Sequence, residues 1–105
     1  MKYHRNERIA SLIKEELNNL ILREVEFSGA VVTIVDIEVS EDLDKALVKI
    51  AVFPNNKGPD ALVALENHRR KLQFLLMRKM NIKPMPKLVF KLDITEEEKE
   101  VAVPG

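Results

Sequence analysis

The stretch from Val31 to Phe53, "VVTIVDIEVSEDLDKALVKIAVF", decides the fold, because it contains two strand-like runs close together in sequence. In "VVTIVDIEV" and "KALVKIAVF" many residues are β-branched, and apolar residues alternate along the chain as in strands with one buried face. The segment "SEDLD" between them, residues 40–44, is typical of a turn. Together these features predict an antiparallel β-hairpin. The core side of its first strand is predicted to carry Val31, Thr33, Val35, Ile37 and Val39.

Helical patterns flank the hairpin on both sides. Between Arg5 and Val25 apolar residues recur at intervals of three and four, which predicts one amphipathic helix. After the loop "PNNKGPD", residues 54–60, a second helical stripe continues to Asn81, but the polar block "ENHRRK", residues 66–71, interrupts it midway. This interruption predicts two helices or one bent helix, ended by the prolines of "PMP" at residues 84–86.

A third strand is predicted in "KLVFKL", residues 87–92, where Leu88, Phe90 and Leu92 alternate with other residues. The element order is then αββααβ, an α+β fold in which helices cover one face of a three-stranded sheet. Residues 1–93 are expected to form this single domain. Residues 94–105, "ITEEEKEVAVPG", are expected to form a short acidic tail.

Composition limits the class of protein. With 105 residues, 46% hydrophobic and 32% charged, the chain is expected to form one domain with a solvated surface. No apolar run approaches the roughly 20 residues that a transmembrane helix needs, and Glu7, Glu15 and Glu16 interrupt any signal-peptide pattern. The sequence has no cysteine, which fits a reducing compartment. We therefore expect a cytoplasmic monomer that does not bind a membrane.

The sequence lacks the usual patterns of catalytic and metal-binding sites. The main concentration of carboxylates consists of Asp36, Glu38, Glu41, Asp42 and Asp44. This group lacks the Gly and the distal Glu of a calcium loop and has no His partner, so Ser40 and Asp42 are interpreted as hydrogen-bonding the turn. Two His, no Cys and three scattered Gly predict neither a catalytic triad nor a phosphate-binding loop. No enzyme activity, cofactor, metal or small-molecule substrate is expected.

The charge distribution is uneven. From His68 to Lys91 the sequence has eight Lys or Arg residues and no Asp or Glu, although the whole chain carries no net charge. If Leu72 and Leu76 face the core, the neighbouring basic side chains must point away from it. Such a surface favours polyanions, because each phosphate that Lys or Arg neutralises releases counterions. RNA contact is therefore predicted, with an ordinary solvated helix as the alternative.

Ten residues are predicted to contact RNA: His68, Arg69, Arg70, Lys71, Arg78, Lys79, Lys83, Lys87, Arg5 and Arg8. His68 could stack on an unpaired base, although a single His in a polar segment is more often simply exposed. Phe74 lies beside the apolar stripe and is interpreted as part of the core or its rim, with base stacking as the alternative. The amino-terminal cluster around Arg5 and Arg8 is explained equally well by a frayed charged terminus.

Four segments of the chain resemble the bacterial ribosome-binding factor A family. They are "NERIASLIKEELNNLILREV" at 6–25, "VTIVDIEVSEDLDKALVKIAVF" at 32–53, "ALENHRRKLQFLLMRKM" at 64–80 and "PKLVFKLD" at 86–93. The most specific part is the turn with Val39, Ser40, Asp42 and Leu43, followed by an alternating strand.

The resemblance implies a KH-like type II domain and a ribosome-binding factor. Such a protein would bind the small ribosomal subunit and its ribosomal RNA and assist late maturation and processing of the subunit. No catalysis is implied, and the family is associated with growth in the cold.

This sequence departs from the family in three places. His68, Arg69 and Arg70 occupy the position of the family's Ala-x-Gly kink, so the close backbone approach that Gly allows is lost. The loop after the first helix is short, with "EFSGA" at 26–30 in place of an Asp-Pro-Arg motif, and the carboxy-terminal extension is reduced to the acidic tail. The alternative from another functional class is a protein-interaction module that uses the acidic tail or the edge of the hairpin.

Overall fold

The computed structural model describes residues 2–82 and 84–93, with side chains from Glu7 onward. Its elements are α1 (Lys2–Glu24), β1 (Val31–Val39), β2 (Lys45–Phe53), a 3-10 turn (Asn55–Lys57), α2 (Gly58–Met80) and β3 (Lys87–Leu92). The predicted α+β class, the hairpin and the third strand are confirmed. The predicted acidic tail, residues 94–105, lies outside the described residues.

One continuous helix spans the region where two helices or one bent helix were predicted, so the order is αββαβ rather than αββααβ. The polar block does not break α2 because Leu65 and Leu72 are seven residues apart, which is about two turns, and both are fully buried on one face. The sequence contains no Gly or Pro between Pro59 and Pro84 that would end the helix. The helix ends where Asn81 adopts the left-handed conformation, with φ 54°.

The sheet has the order β1-β2-β3. β1 and β2 pair antiparallel, whereas β3 pairs parallel to β2, so that α2 forms the connection between two parallel strands. A bulge between Ile34 and Asp36 shifts the alternation within β1. As a result Ile34 and Ile37 are buried. The predicted core side is thus confirmed at Ile37 and wrong for Val31, Thr33 and Val35, which are exposed.

The turn between β1 and β2 is built around the Ser40 side chain. Its Oγ accepts hydrogen bonds from the backbone N–H of Asp44 (3.0 Å) and Lys45 (2.9 Å) and donates to Asp42 Oδ1 at 2.8 Å. The Ser40 hydroxyl and the Asp44 N–H lower the pKa of Asp42 below its usual value. Ser40 and Asp42 therefore organise the turn, as predicted.

Both helices pack on one face of the sheet, as predicted, with α1 against β1 and α2 against β3. Residues from every helix and strand form a single apolar core that includes Ile13, Leu17, Val48, Ile50, Leu65, Leu72, Leu76 and Leu88. Among the described residues this core contains no buried polar side chain. The side of α2 that faces away from the core carries exposed residues, among them Arg70, Phe74 and Arg78.

Gln73 connects α2 to the start of β3. Its side-chain Nε2 donates to the carbonyl of Pro86 at 2.6 Å, and its Oε1 accepts from the N–H of Leu88 at 2.9 Å. One side chain thus satisfies the carbonyl of Pro86 just before β3 and the N–H of Leu88 within it. Among the described residues β3 is an edge strand, so no further strand pairs with this side of it. This pair of bonds holds the segment before β3 against the helix.

Replacing Gln73 with Ala should lower the free energy of unfolding by about 1–3 kcal/mol, because two part-buried backbone groups lose their partner. Urea denaturation followed by circular dichroism would measure the change. Asn67→Ala removes an exposed amide from the same helix and should not destabilise the protein. Equal stability of Gln73→Ala and the native chain would show that the two hydrogen bonds do not hold β3 in place.

Candidate nucleic-acid interface

Part of the basic surface of α2 faces α1, and acidic side chains neutralise it there. Lys71 Nζ lies 2.8 Å from Glu24 Oε1, and Lys79 Nζ lies 4.0 Å from Glu16 Oε2. The two pairs are eight residues apart on each helix and run in opposite directions, as expected for antiparallel helices. The hydrogen bond from Lys71 lowers the pKa of Glu24. The predicted surface free of acids is thus interrupted by carboxylates that are distant in sequence.

His68 is half-buried and lies on this same side of α2. Its Nδ1 is 2.8 Å from the carbonyl oxygen of Ala64, where the ring nitrogen must donate because a carbonyl only accepts. The ring is therefore held against the backbone of its own helix, and the prediction that it contacts RNA remains untested.

The outer face of α2 carries a different set of side chains, which we call the outer ridge: Arg70, Phe74 and Arg78. They are spaced by four residues and so follow one another along the helix, with a rise of about 6 Å between neighbours. All three are exposed, and the guanidinium carbon of Arg78 lies over the Phe74 ring at 5.7 Å from its centre. Phe74 is 51% exposed and lies outside the described core, so the prediction that it belongs to the core or its rim is wrong.

Beside the outer ridge, a groove of about 570 Å³ separates α2 from the segment that leads into β3. This α2–β3 groove is lined by Arg69, Arg70, Gln73, Phe74, Met77, Pro84, Met85 and Lys87. Aromatic, thioether and proline side chains contribute apolar surface to it, whereas Arg69, Arg70 and Lys87 contribute positive charge. The groove is therefore apolar and electropositive at once.

The cations of the groove differ in how far they are neutralised. Arg69 Nε lies 3.3 Å from Glu66 Oε2, one turn earlier on the helix. Among the described side chains, neither Arg70 nor Lys87 has an acidic partner within ion-pair distance. The register of the sheet places Lys45 beside Lys87 on the neighbouring strand, which adds a further positive charge. Arg70, Arg78 and Lys87 are thus the candidate residues best able to bind an anion.

Arg5, Arg8 and Lys83 were also predicted to contact RNA. Arg8 is exposed on α1, and no described hydrogen bond or ion pair connects it to the basic residues of α2. Lys83 and the side chain of Arg5 lie outside the described residues. Their predicted RNA contacts remain predictions.

Sequence reasoning missed several residues of this surface. Gln73 and Met77 follow Arg69 at intervals of four, a spacing that indicates one shared helix face. Met85 and Lys45 are brought to the same region only by the parallel pairing of β3. The acidic partners Glu16 and Glu24 could not be assigned before the two helices were known to lie side by side.

The described residues were also searched for metal sites and membrane spans. Among the side chains that the structure describes, no three His, Asp or Glu lie close enough together to bind a metal ion. No helix in this part of the chain combines the length and apolar character of a membrane span. The basic residues of the outer ridge and the groove form a surface suited to electrostatic binding of a polyanion.

The sequence and the fold were compared with those of known proteins. The sequence model of the family described as ribosome-binding factor A matches residues 5–102. A protein of that name from Prochlorococcus marinus strain NATL1A is 36% identical over 93 residues, covering 85% of this chain and 76% of the relative. One from Chlorobium phaeobacteroides strain BS1 is 31% identical over 99 residues, covering 91% of this chain and 85% of the relative.

Two solved structures are similar in fold. The crystal structure of ribosome-binding factor A from Thermus thermophilus superposes with a TM-score of 0.70 at 24% identity, covering 83% of this chain and 94% of that one. A homology model of the Thermus thermophilus factor, fitted into the cryo-EM map of a 30S complex, superposes with a TM-score of 0.60, also at 24% identity, covering 76% of this chain and 90% of that one. At this identity the two structures establish the fold. The match of the family model over almost the whole sequence establishes that the chain belongs to the ribosome-binding factor A family.

Proposed function

We propose that this protein binds the small ribosomal subunit through its ribosomal RNA and assists late maturation and processing of the subunit. Residues 1–93 form the RNA-binding domain, and residues 94–105 form a tail outside it. The protein acts in the cytoplasm, as a monomer, without catalysis, cofactor or small-molecule substrate. The names of its relatives and the 30S complex of the Thermus factor support the choice of partner.

The observation that carries the proposal is the set of exposed cations along α2 and at the start of β3. Arg70, Arg78 and Lys87 lie at the surface without a described acidic partner, whereas Lys71 and Lys79 are engaged by α1. Unpaired cations on one side of a rigid helix bind phosphates in a fixed arrangement. RNA shape and phosphate positions would therefore dominate recognition, as is usual for structured RNA. Binding would stabilise one conformation of the RNA and so favour its mature fold. This stabilisation would matter most in the cold.

A co-sedimentation experiment with purified small and large ribosomal subunits tests this proposal. We expect the protein to pellet with the small subunit and not with the large one, and to be released progressively as the salt concentration rises. Loss of co-sedimentation after RNase treatment would identify RNA as the contact. Equal binding to both subunits, or binding to neither, would contradict the proposal.

A protein-interaction module is the second candidate function. Among the described residues β1 is an edge strand of the sheet, and its Val35 carbonyl accepts a hydrogen bond from Lys14 Nζ at 3.2 Å. A partner could add a strand along this edge. This function predicts binding that is insensitive to RNase and only weakly dependent on salt, so the same co-sedimentation experiment separates the two.

A further inference from the structure

The α2–β3 groove has a property that binding to phosphates alone does not require: its surface is largely apolar. We propose that this groove receives one unpaired RNA base, which stacks on Phe74 while Arg70 and Lys87 bind the phosphates on either side. This inference rests on the proposed function, because it names a feature of the RNA that the same surface would select. The proposed groove contacts a base, whereas the basic surface alone would contact only the phosphate backbone of the RNA.

The position of Phe74 is the first argument. The core side of α2 is occupied by Ala61, Leu65, Leu72 and Leu76, and Phe74 lies away from this row with 51% of its surface exposed. The ring therefore contributes little to the core, and it stands within the electropositive surface. An exposed aromatic ring between cations is a suitable platform for a base, because every base has a face that can stack.

The surroundings of the ring are the second argument. Arg78 lies over the ring at 5.7 Å, and Arg70 lies one turn earlier on the same ridge. The ring also lines the groove together with Met77 and Met85, whose thioether side chains adapt to flat apolar ligands. The Phe74 ring thus contacts Arg78 and also remains accessible from the groove.

The rigidity of the groove is the third argument. Gln73 forms two hydrogen bonds, to Pro86 and Leu88, which fix the backbone directly after the groove residues Pro84 and Met85 to α2. A volume of about 570 Å³ falls within the range of ordinary small-ligand pockets. A preformed groove loses little freedom when a ligand enters, which favours affinity.

The positive charge of the groove favours an anionic ligand. Among the described residues that line the groove, Arg69, Arg70 and Lys87 are charged and no carboxylate is present. Glu66 offsets Arg69 from one turn away, so Arg70 and Lys87 supply most of the positive charge. An unpaired nucleotide matches this arrangement, since it joins one flat apolar group to an anionic backbone. A bulge or loop presents such a nucleotide, whereas a continuous duplex hides its bases in the stack.

The test compares three RNA hairpins that share one stem: fully paired, with a single bulged adenosine, and with an abasic residue at the bulge. The abasic hairpin keeps the backbone and the bend but lacks the base. We expect the native chain to bind the adenosine bulge about tenfold more tightly than the abasic one in fluorescence anisotropy. Phe74→Ala should reduce this ratio to about one, and Phe74→Trp should preserve it.

A second readout reports stacking directly. With 2-aminopurine at the bulge, the native chain and Phe74→Trp should quench its fluorescence on binding, and Phe74→Ala should not. Circular dichroism of Phe74→Ala should remain native, because the ring is outside the core.

Two results would overturn the inference. The first is equal affinity of the native chain for the adenosine and abasic bulges. The second is a base preference that persists in Phe74→Ala. Salt-dependent binding to the small subunit in either case would leave the proposed function intact. If an acidic peptide with one aromatic residue bound in a Phe74-dependent manner and the bulged hairpin did not, the groove would be a protein-binding site instead.

Discussion

The double variant Arg70→Gln, Arg78→Gln should bind the small ribosomal subunit about tenfold or more weakly than the native chain. Both side chains lie at the surface on the outer ridge, and neither has a described acidic partner within ion-pair distance. Each phosphate contact adds close to one unit to the slope of log affinity against log salt. The slope should therefore decrease by about two units if both residues bind phosphates. Co-sedimentation over a salt series measures both quantities.

The matched control is the double variant Lys71→Gln, Lys79→Gln, which removes the same charge from the same helix. Its effect should be clearly smaller, because Glu24 and Glu16 already offset these lysines. If both double variants weaken binding equally, only total charge matters and the division of the basic surface is wrong. If neither weakens it, another surface binds the subunit.

Leu72→Ala should lower the free energy of unfolding by about 2–5 kcal/mol, a large part of the roughly 5–15 kcal/mol that is usual for a small domain. Leu72 is fully buried between α2 and the sheet, so truncation removes apolar contacts and leaves a cavity. The size of the cost depends on how far the surrounding core relaxes. Urea denaturation gives the change from the midpoint and the slope of the transition.

Val63→Ala on the same helix serves as the control. Val63 is 60% exposed, so its truncation should change stability by no more than about 0.5 kcal/mol. A comparable loss in both variants would mean that the effect comes from the helix as a whole. A small loss in Leu72→Ala would mean that α2 does not pack through this residue.

The hairpin and the helices could be predicted because their signals are local. Alternation and apolar periodicity depend on neighbouring residues only, so β1, β2, β3 and α1 can be located without tertiary information. The polar block in α2 is misleading, since two turns of helix restore the apolar face beyond it. The bulge in β1 escapes prediction for a related reason: one inserted residue reverses the alternation after Ile34 and leaves no distinct mark in the sequence.

The candidate site could be predicted in its residue types and only partly in its arrangement. The span without Asp or Glu indicates that α2 carries a basic surface. The order of charges along the sequence does not show which residues are paired with acids from another helix. Packing of α1 against α2 supplies the carboxylates that neutralise Lys71 and Lys79. It also leaves Arg70 and Arg78 at the surface on a different side of the helix.

The sequence by itself determined the α+β class, the family and the presence of a basic helix, since each depends on residues that are read in order along the chain. Only the tertiary structure decided which cations have no acidic partner among the described residues and where an apolar groove opens beside them. The parallel pairing of β3 with β2 brings Lys87 and Met85 next to Phe74, and Gln73 holds them there. The physical reason is that these contacts join segments distant in the sequence, and their geometry is set by packing of the whole core.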